Sequence, residues 1–166
     1  MKNIPYIAFM NKLRVYIDTS VIGGCFDEEF KVFSNKFIDD ILNQKKIAVI
    51  SDVTIKEIEK APTHIYQLFQ KIIDSNIEMV EVDEDIEFLA EQYIENKIIT
   101  DKFKEDALHI ATASISKVDV LVSWNFKHIV NYRRMNLYNS VNLKFGYSTI
   151  DIRSPREVIS DESEDI

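Results

Sequence analysis

The chain contains few of the residues that interrupt regular structure. Its 166 residues include only three glycines and three prolines, so little of the sequence suits long irregular loops. No apolar stretch approaches the roughly 20 residues that a membrane-spanning helix needs. We therefore expect a single domain, rich in helices and strands, that does not interact with a membrane.

Cysteine is almost absent, since Cys25 is the only one. A single thiol excludes an internal disulfide and favours a reducing compartment, so the expected location is the cytoplasm. A glycine-rich phosphate-binding loop is also missing, because the only glycine cluster, Gly23 and Gly24, lacks the spacing of a P-loop. These absences exclude disulfide-stabilised and P-loop classes of protein.

Charge is distributed unevenly along a chain whose formal net charge is −8. Residues 97–156 hold ten Lys and Arg against five Asp and Glu, whereas the last ten residues hold five acids and no base. An acidic total argues against a protein that coats nucleic acid by charge alone. We predict an N-terminal extension at 1–12, one domain at 13–155 and an acidic, disordered tail at 156–166.

Short Val- and Ile-rich runs alternate with segments of helical period. The runs predict strands at 14–17, 47–50, 79–82 and 120–122, and a short fifth strand within 148–152. Helices are predicted at 28–44, 52–60, 65–73, 84–94 and 102–116, and from about 126. Apolar strands separated by helices are typical of a parallel sheet covered on both faces. Such α/β sheets place their working site beyond the carboxyl ends of the strands.

Four oxygen-bearing side chains follow or approach these strand ends. Asp18 directly follows the first strand, Glu57 lies in the helix after the second, Asp106 lies in the helix before the fourth, and Asn125 follows the fourth. Three carboxylates at one edge repel one another unless a cation neutralises them. A hard divalent ion such as Mg²⁺ or Mn²⁺ suits this oxygen-rich set.

Each of these residues also has a purely structural interpretation. Asp18 or Asn125 can cap a helix, Glu57 can be a solvated surface acid, and Asp106 can pair with a nearby lysine. His109 and His128 lie near two of these positions, where a core role and contact with a phosphate both remain open. The sequence leaves these alternatives unresolved for each residue alone.

Three segments together resemble a known family. They are Tyr-Ile-Asp-Thr-Ser at 16–20, Asp-Ala-Leu-His-Ile-Ala-Thr-Ala at 106–113 and Ser-Trp-Asn-Phe-Lys-His at 123–128. They resemble the PIN-domain nucleases, which include the toxin ribonucleases of bacterial toxin–antitoxin pairs. The resemblance implies a three-layer α/β/α sandwich around a central, mostly parallel sheet of four to five strands.

The resemblance also implies an activity and a set of site residues. It matches Asp18, Glu57 and Asp106 to the catalytic, metal-binding acids of an endoribonuclease that uses Mg²⁺ or Mn²⁺. The fourth metal position, commonly Asp in the family, is Asn125 here, which removes one charge and weakens a second metal site. The implied partners are an RNA substrate, a small antitoxin protein and a second copy of the chain.

Substrate contacts are expected from two places in the sequence. Thr19 and Ser20, next to Asp18, can hydrogen-bond a phosphate, and Lys127 and Arg133 can hold the RNA strand. One alternative is a catalytically weak PIN-like module that binds RNA or protein. Another is a phosphatase of the haloacid-dehalogenase type, which is disfavoured because Ser20 stands where that class carries a second Asp.

Overall fold

Residues 12–160 are described by a computed structural model. The predicted extension at 1–12 therefore lies outside the described residues except for Lys12, and so do the final six residues of the predicted tail. Within this range, no helix combines the length and the apolar character that crossing a bilayer requires.

Five parallel strands form one sheet in the order β3-β2-β1-β4-β5. The central strand β1 is buried on both faces, as its apolar sequence predicts. The chain places β2 and β3 on one side of β1 and then returns to place β4 on the other side. The carboxyl ends of β1 and β4 therefore flank the topological switch point, where open α/β sheets bind their ligands. The strands are β1 (Arg14–Ile17), β2 (Ile47–Ser51), β3 (Ile77–Val80), β4 (Val120–Val122) and β5 (Ile152–Arg153).

Helices cover both faces of this sheet. Successive side chains of a strand point to opposite faces, so Tyr16 belongs to the core under α5, α6 and α7, whereas Val15 and Ile17 belong to the core under α1, α2, α3, α4 and α8. The predicted three-layer α/β/α sandwich is confirmed. The helices are α1 (Thr19–Gly24), α2 (Lys31–Leu42), α3 (Asp52–Ile58), α4 (Thr63–Ile73), α5 (Glu84–Glu95), α6 (Lys104–Ile115), α7 (Tyr132–Lys144) and α8 (Pro155–Val158), with a 3₁₀ turn at Asp101–Phe103 before α6.

The elements after β4 differ most from the sequence prediction. The helix expected from about 126 begins only at Tyr132, because the carbonyl of Asn125 accepts the backbone N–H groups of Ile129 and Val130 and closes a turn. The fifth strand expected within 148–152 is β5, which begins at the last of those residues, and β3 begins two residues earlier than predicted. The turn at Asn125 thus delays the start of α7, in a segment whose apolar pattern alone is ambiguous.

Residues 156–160, the described part of the predicted acidic tail, are packed against the domain. Val158 and Ile159 pack against the core beneath α2, and the backbone N–H of Ser160 donates to Asp40 Oδ2 at 2.9 Å. Lys46 Nζ donates to the same Asp40 oxygen at 2.6 Å and to Ser160 Oγ at 2.9 Å. The packed domain therefore continues to Ser160, fastened by an ion pair whose two residues are both buried.

Three helices end without the glycine that is common at this position. Gln44, Lys97 and Lys117 follow the C-caps of α2, α5 and α6 in the left-handed region, at φ of 58°, 58° and 52°. A side chain in this conformation costs roughly 1 kcal/mol relative to glycine. The scarcity of glycine is therefore accommodated by strained helix ends rather than by longer loops.

The buried pair of Asp40 and Lys46 generates a stability prediction. Burial would raise the pKa of Asp40, but the hydrogen bonds from Lys46 and Ser160 outweigh it and lower the pKa. We expect Asp40→Asn to lower the free energy of unfolding by about 3 kcal/mol in urea titrations, because a buried ammonium loses its counter-charge. Because the folded pKa is depressed, the contribution of Asp40 is present above the unfolded pKa and is lost as pH falls through the folded one.

The neighbouring exposed acid provides a matched control. Asp39→Asn changes the same helix by the same chemistry and should leave the free energy of unfolding nearly unchanged. Equal losses in the two variants would show that the pair at Asp40 does not fasten the C-terminal segment.

Candidate active site

Asp18 lies at the switch point of the sheet. Ile17 pairs with Val122, so Asp18 and Ser123 are the first residues beyond two neighbouring strands. The Ser123 hydroxyl donates to Asp18 Oδ2 at 2.6 Å, and the Ser20 hydroxyl donates to Oδ1 at 2.6 Å. Asp18 is only 4% exposed, so these two donors replace most of the water that a free carboxylate would bind.

The two serines also hold the chain that follows β4. Ser20 Oγ accepts the backbone N–H of Trp124 at 2.9 Å, and Ser123 Oγ accepts that of Asn125 at 2.9 Å. Since each hydroxyl proton is directed at Asp18, each oxygen is free to accept. The carboxylate therefore fixes the geometry of both loops at this edge.

Burial dominates the electrostatics of Asp18. It raises the pKa of this carboxyl, the nearby charge of Glu57 raises it further, and His109, Ser123 and Ser20 offset only part of the effect. Among residues 12–160, no lysine or arginine forms an ion pair with Asp18. The site thus holds a carboxyl group whose charge is incompletely compensated by the protein.

A buried chain of hydrogen bonds restrains Glu57. The Tyr16 hydroxyl lies 2.7 Å from Ser51 Oγ and 2.7 Å from His109 Nδ1, and His109 Nε2 lies 2.7 Å from Glu57 Oε1. The Nε2–H group of His109 donates to the Glu57 carboxylate, and the Tyr16 hydroxyl forms a hydrogen bond with the other ring nitrogen. The His109 side chain is thus fixed on both sides, and it presents one donor to Glu57.

The pKa values in this chain follow from its geometry. Burial raises the pKa of Glu57, but the hydrogen bond and charge of His109 outweigh it, so the pKa of Glu57 is lowered. Burial lowers the pKa of His109, but Tyr16, Glu57 and Asp18 together raise it well above the ordinary value. The arrangement therefore favours an ionised Glu57 beside a protonated imidazole.

Asp106 and Asn125 meet on the other side of the site. Asp106 Oδ2 accepts from Asn125 Nδ2 at 3.2 Å and lies 2.9 Å from His128 Nδ1. Asn125 Oδ1 accepts the backbone N–H of His128 at 3.0 Å. Because a backbone N–H can only donate, the amide oxygen of Asn125 is occupied by the turn and its NH₂ group faces Asp106. This orientation supports the helix-cap alternative for Asn125, with the cap formed on a turn rather than on α7.

The four residues predicted to hold a metal all lie at one edge of the sheet and are linked by hydrogen bonds or by nearby charges. Their carboxylates do not converge on one point, however: in the described part of the chain, no three His, Cys, Asp or Glu side chains are arranged to hold an ion. Asp18 and Glu57 remain close enough to perturb each other, whereas Asp106 is engaged by His128 and Asn125. Their catalytic and metal-binding roles stay predictions.

The four residues predicted to contact substrate fall into two groups. Ser20 contacts Asp18, and Thr19 Oγ1 is buried beside Glu57 without a well-formed hydrogen bond of its own. Lys127 is exposed, with its ammonium 5.9 Å from the centre of the Phe103 ring. Arg133 is exposed on the first turn of α7. Thr19 and Ser20 line the acid edge, and the two basic residues are solvent-accessible.

Sequence reasoning missed two residues that organise the site. Ser123 was not considered, although its place directly after a buried strand is the same signal that marked Asp18. The role of Tyr16 had no such signal, because a tyrosine within an apolar strand is indistinguishable from a core residue. His109 and His128 were noticed, but their pairing with Glu57 and Asp106 requires knowledge of which helix faces which.

Comparisons with known proteins identify the fold. No protein-family model and no curated protein matches the sequence. The crystal structure of VapBC2 from Rickettsia felis, bound to a DNA fragment from its promoter, contains a chain similar to this one at a TM-score of 0.52 and 14% identity, over 86% of this chain and 98% of that one. FitAcB from Neisseria gonorrhoeae matches at a TM-score of 0.54 and 12% identity, over 87% of this chain and 99% of that one. The chain has a PIN-like fold.

The PIN-like fold agrees with the resemblance seen in the sequence. At 12–14% identity the likeness is one of architecture, so function has to be argued from the residues of the site. Both matched chains are covered almost completely. The whole sandwich, and not a fragment of it, is therefore common to these proteins.

The contact between His109 and Glu57 yields a prediction about proton affinity. In His109→Asn the shorter side chain does not reach Glu57, so we expect the Glu57 pKa to rise because burial is no longer offset. In His109→Gln the amide nitrogen replaces Nε2 and keeps the hydrogen bond but not the charge, so the Glu57 pKa should lie between the values of His109→Asn and the unmodified protein. Carboxyl ¹³C NMR titration of Glu57 measures both values, and equal values in the two variants would contradict the assigned hydrogen bond.

Proposed function

We propose that the protein is a divalent-metal-dependent endoribonuclease that hydrolyses RNA phosphodiester bonds and acts as the toxin of a toxin–antitoxin pair. The observation that carries this proposal is the buried, incompletely compensated Asp18 at the switch point of a PIN-like fold, with Glu57 beside it and Asp106 at the same edge. A buried carboxylate that His109 and two serines compensate only in part is costly for folding alone, which argues for a functional purpose.

The donor set fits Mg²⁺ or Mn²⁺ at Asp18 and Glu57. Magnesium commonly binds proteins through one or two carboxylates and retains several waters, so a converging third acid is not required. The buried Thr19 hydroxyl, unsatisfied beside Glu57, provides a further oxygen. When bound, such an ion lowers the pKa of a water molecule and offsets charge on the phosphate.

The protein's own residues would orient the reacting groups. Ser20 and Ser123 hold both oxygens of Asp18 in fixed directions, and His109 contacts one oxygen of Glu57, whose side chain is 33% exposed. His128 holds Asp106 at the rim, where the carboxylate can accept a hydrogen bond from substrate or water. Preorganised groups of this kind reduce the reorganisation that a reaction would otherwise require.

The basic segment is the proposed path of the RNA strand. Lys127 lies two residues after Asn125, and Arg133 lies on α7; their charge and exposure support a role in binding phosphates. Outside 97–156 the chain carries an excess of acids, which would restrict RNA to this side. We propose a small antitoxin protein as a partner, supported by the likeness to VapBC2 and FitAcB. A second copy of the chain and a location in the cytoplasm are proposed from the sequence alone.

A second candidate function is a catalytically weak PIN-like module that binds RNA or protein. The neutral amide of Asn125 favours it, because its oxygen accepts a hydrogen bond from the turn and its nitrogen faces Asp106, where the family commonly has an acid. The two candidates differ in divalent-ion binding, which only the nuclease requires.

Asp18→Asn tests the nuclease directly. We expect RNA cleavage with Mn²⁺ to fall by at least about 100-fold, because the amide keeps the size but removes the charge that holds the ion. The amide nitrogen cannot accept the hydroxyl proton of a site serine, so circular dichroism and thermal unfolding verify that the variant stays folded. Asp74→Asn, an exposed acid at the end of α4, is the control and should cleave normally. A well-folded Asp18→Asn protein that cleaves at the original rate would refute the proposal.

Asn125→Asp tests whether the fourth position can still serve a metal. The change keeps the acceptor for His128 but places a carboxylate oxygen against Asp106, so the metal-free protein should be less stable. Coulomb attraction to the added charge should tighten Mn²⁺ binding by about tenfold in calorimetric titration. Asn131→Asp, which alters a capping amide on α7, is the control and should leave the affinity unchanged. Unchanged affinity in both variants would make Asn125 a turn residue only.

A further inference from the structure

Trp124, directly beyond the site serines, is held rigidly. Its indole N–H donates to Ser34 Oγ at 2.7 Å, and its ring stacks on Phe30 with centres 4.3 Å apart and planes at 19°. Gly24 makes this close approach possible, because a Cβ there would lie 2.7 Å from the indole nitrogen and 2.5 Å from Ser34 Oγ. The aromatic surface is therefore fixed before any ligand arrives.

Phe126 extends this surface into solvent. Its ring centre lies 6.1 Å from that of Trp124 and 6.4 Å from that of Phe30, and the residue is 50% exposed. A cavity of about 530 Å³ adjoins these three rings. We call it the aromatic pocket, and its lining includes Phe30, Phe33, Trp124, Phe126, Arg156 and Glu29.

The aromatic pocket adjoins a second cavity that reaches the acid edge. A second cavity, of about 300 Å³, shares Phe30 and Trp124 with it and is also lined by Ser20 and Asn125. Ser20 is bonded to Asp18, and Asn125 to Asp106. The second cavity therefore lies between the residues bonded to the acids and the aromatic pocket.

The lining favours a flat, polar-edged ring over a phosphate. Aromatic faces stack with nucleobases of any sequence, and Arg156 lies over the Phe33 ring at 5.2 Å, where its guanidinium N–H groups can reach a base edge. Glu29 and Glu157 line the same cavity. Their negative charges disfavour a phosphate, and their carboxylate oxygens can accept hydrogen bonds from the amino groups of bases.

We propose that the aromatic pocket binds a nucleobase of single-stranded RNA, adjacent to the phosphodiester that lies at Asp18. This inference rests on the proposed function for the identity of the polymer, and it adds a base-binding subsite that selects unpaired RNA. A base within a duplex is stacked and paired, so it cannot enter the pocket without being unstacked.

The only tryptophan of the chain allows a direct binding test. The full chain is kept in a chelator, so that no cleavage occurs, and is titrated with a six-nucleotide single-stranded RNA and with an abasic oligomer of equal charge. We expect the RNA to quench Trp124 fluorescence and to bind at least about fivefold more tightly than the abasic oligomer, the lower range for stacking of one base.

Variants at the exposed ring assign the effect to the pocket. Phe126→Ala and Phe126→Leu should each lose at least about fivefold in RNA affinity and leave abasic binding unchanged, whereas Phe126→Tyr, which keeps a flat ring, should restore the affinity. Phe88→Leu, at a ring 42% exposed on α5, is the control and should bind like the unmodified protein. Circular dichroism verifies the folding of each variant.

Other results would overturn the base-binding proposal or separate it from the proposed nuclease activity. Equal affinity for RNA and the abasic oligomer, or no loss in the Phe126 variants, overturns the proposal. So does quenching by a peptide rich in Leu and Phe but not by RNA, which would make the pocket a protein-binding site. Base-dependent binding without Mn²⁺-dependent cleavage retains the pocket and refutes the nuclease. Mn²⁺-dependent cleavage without base-dependent binding retains the nuclease and refutes the pocket.

Discussion

The buried carboxylate of Asp18 is the constraint on which the architecture of this edge depends. A charge at the centre of a sheet has to be solvated by the protein, and here two serine hydroxyls do this directly. The same hydroxyls accept the backbone of the loop after β4. One carboxylate therefore determines where Trp124 and Asn125 lie, and through them where Asp106 and the aromatic surface lie.

The two acid–histidine contacts differ in their position, one in the core and one at the rim of the site. Glu57 is restrained from within the core, through a histidine that is anchored by Tyr16, whereas Asp106 is restrained at the rim by His128. Both imidazoles occupy oxygens that a cation would otherwise attract. An ion bound at Asp18 and Glu57 would therefore use the Glu57 oxygen that His109 does not contact, without any change at Asp106.

The sequence predicted the edge of the sheet but not the contacts within it. Asp18, Glu57 and Asp106 could be placed together because parallel strands end at the same edge, a rule that needs only the strand positions. The amide orientation of Asn125 could not be predicted, because it depends on a turn that was predicted as a helix. Residues 156–160 were assigned to a tail on charge alone, although their contact with Asp40 and Lys46 depends on residues more than 100 positions earlier. Local patterns therefore specified the elements, and long-range hydrogen bonds specified the site.

The separation of Asp18 from Ser123 along the chain has a consequence for synthesis. The two residues are 105 positions apart, and ribosomes add about 5–20 residues per second, so the carboxylate emerges several seconds before its partner exists. A nascent chain that ends before β4 lacks Ser123, Asn125 and one flank of β1. A nascent chain therefore holds no assembled site until β4 and the loop after it have been synthesised.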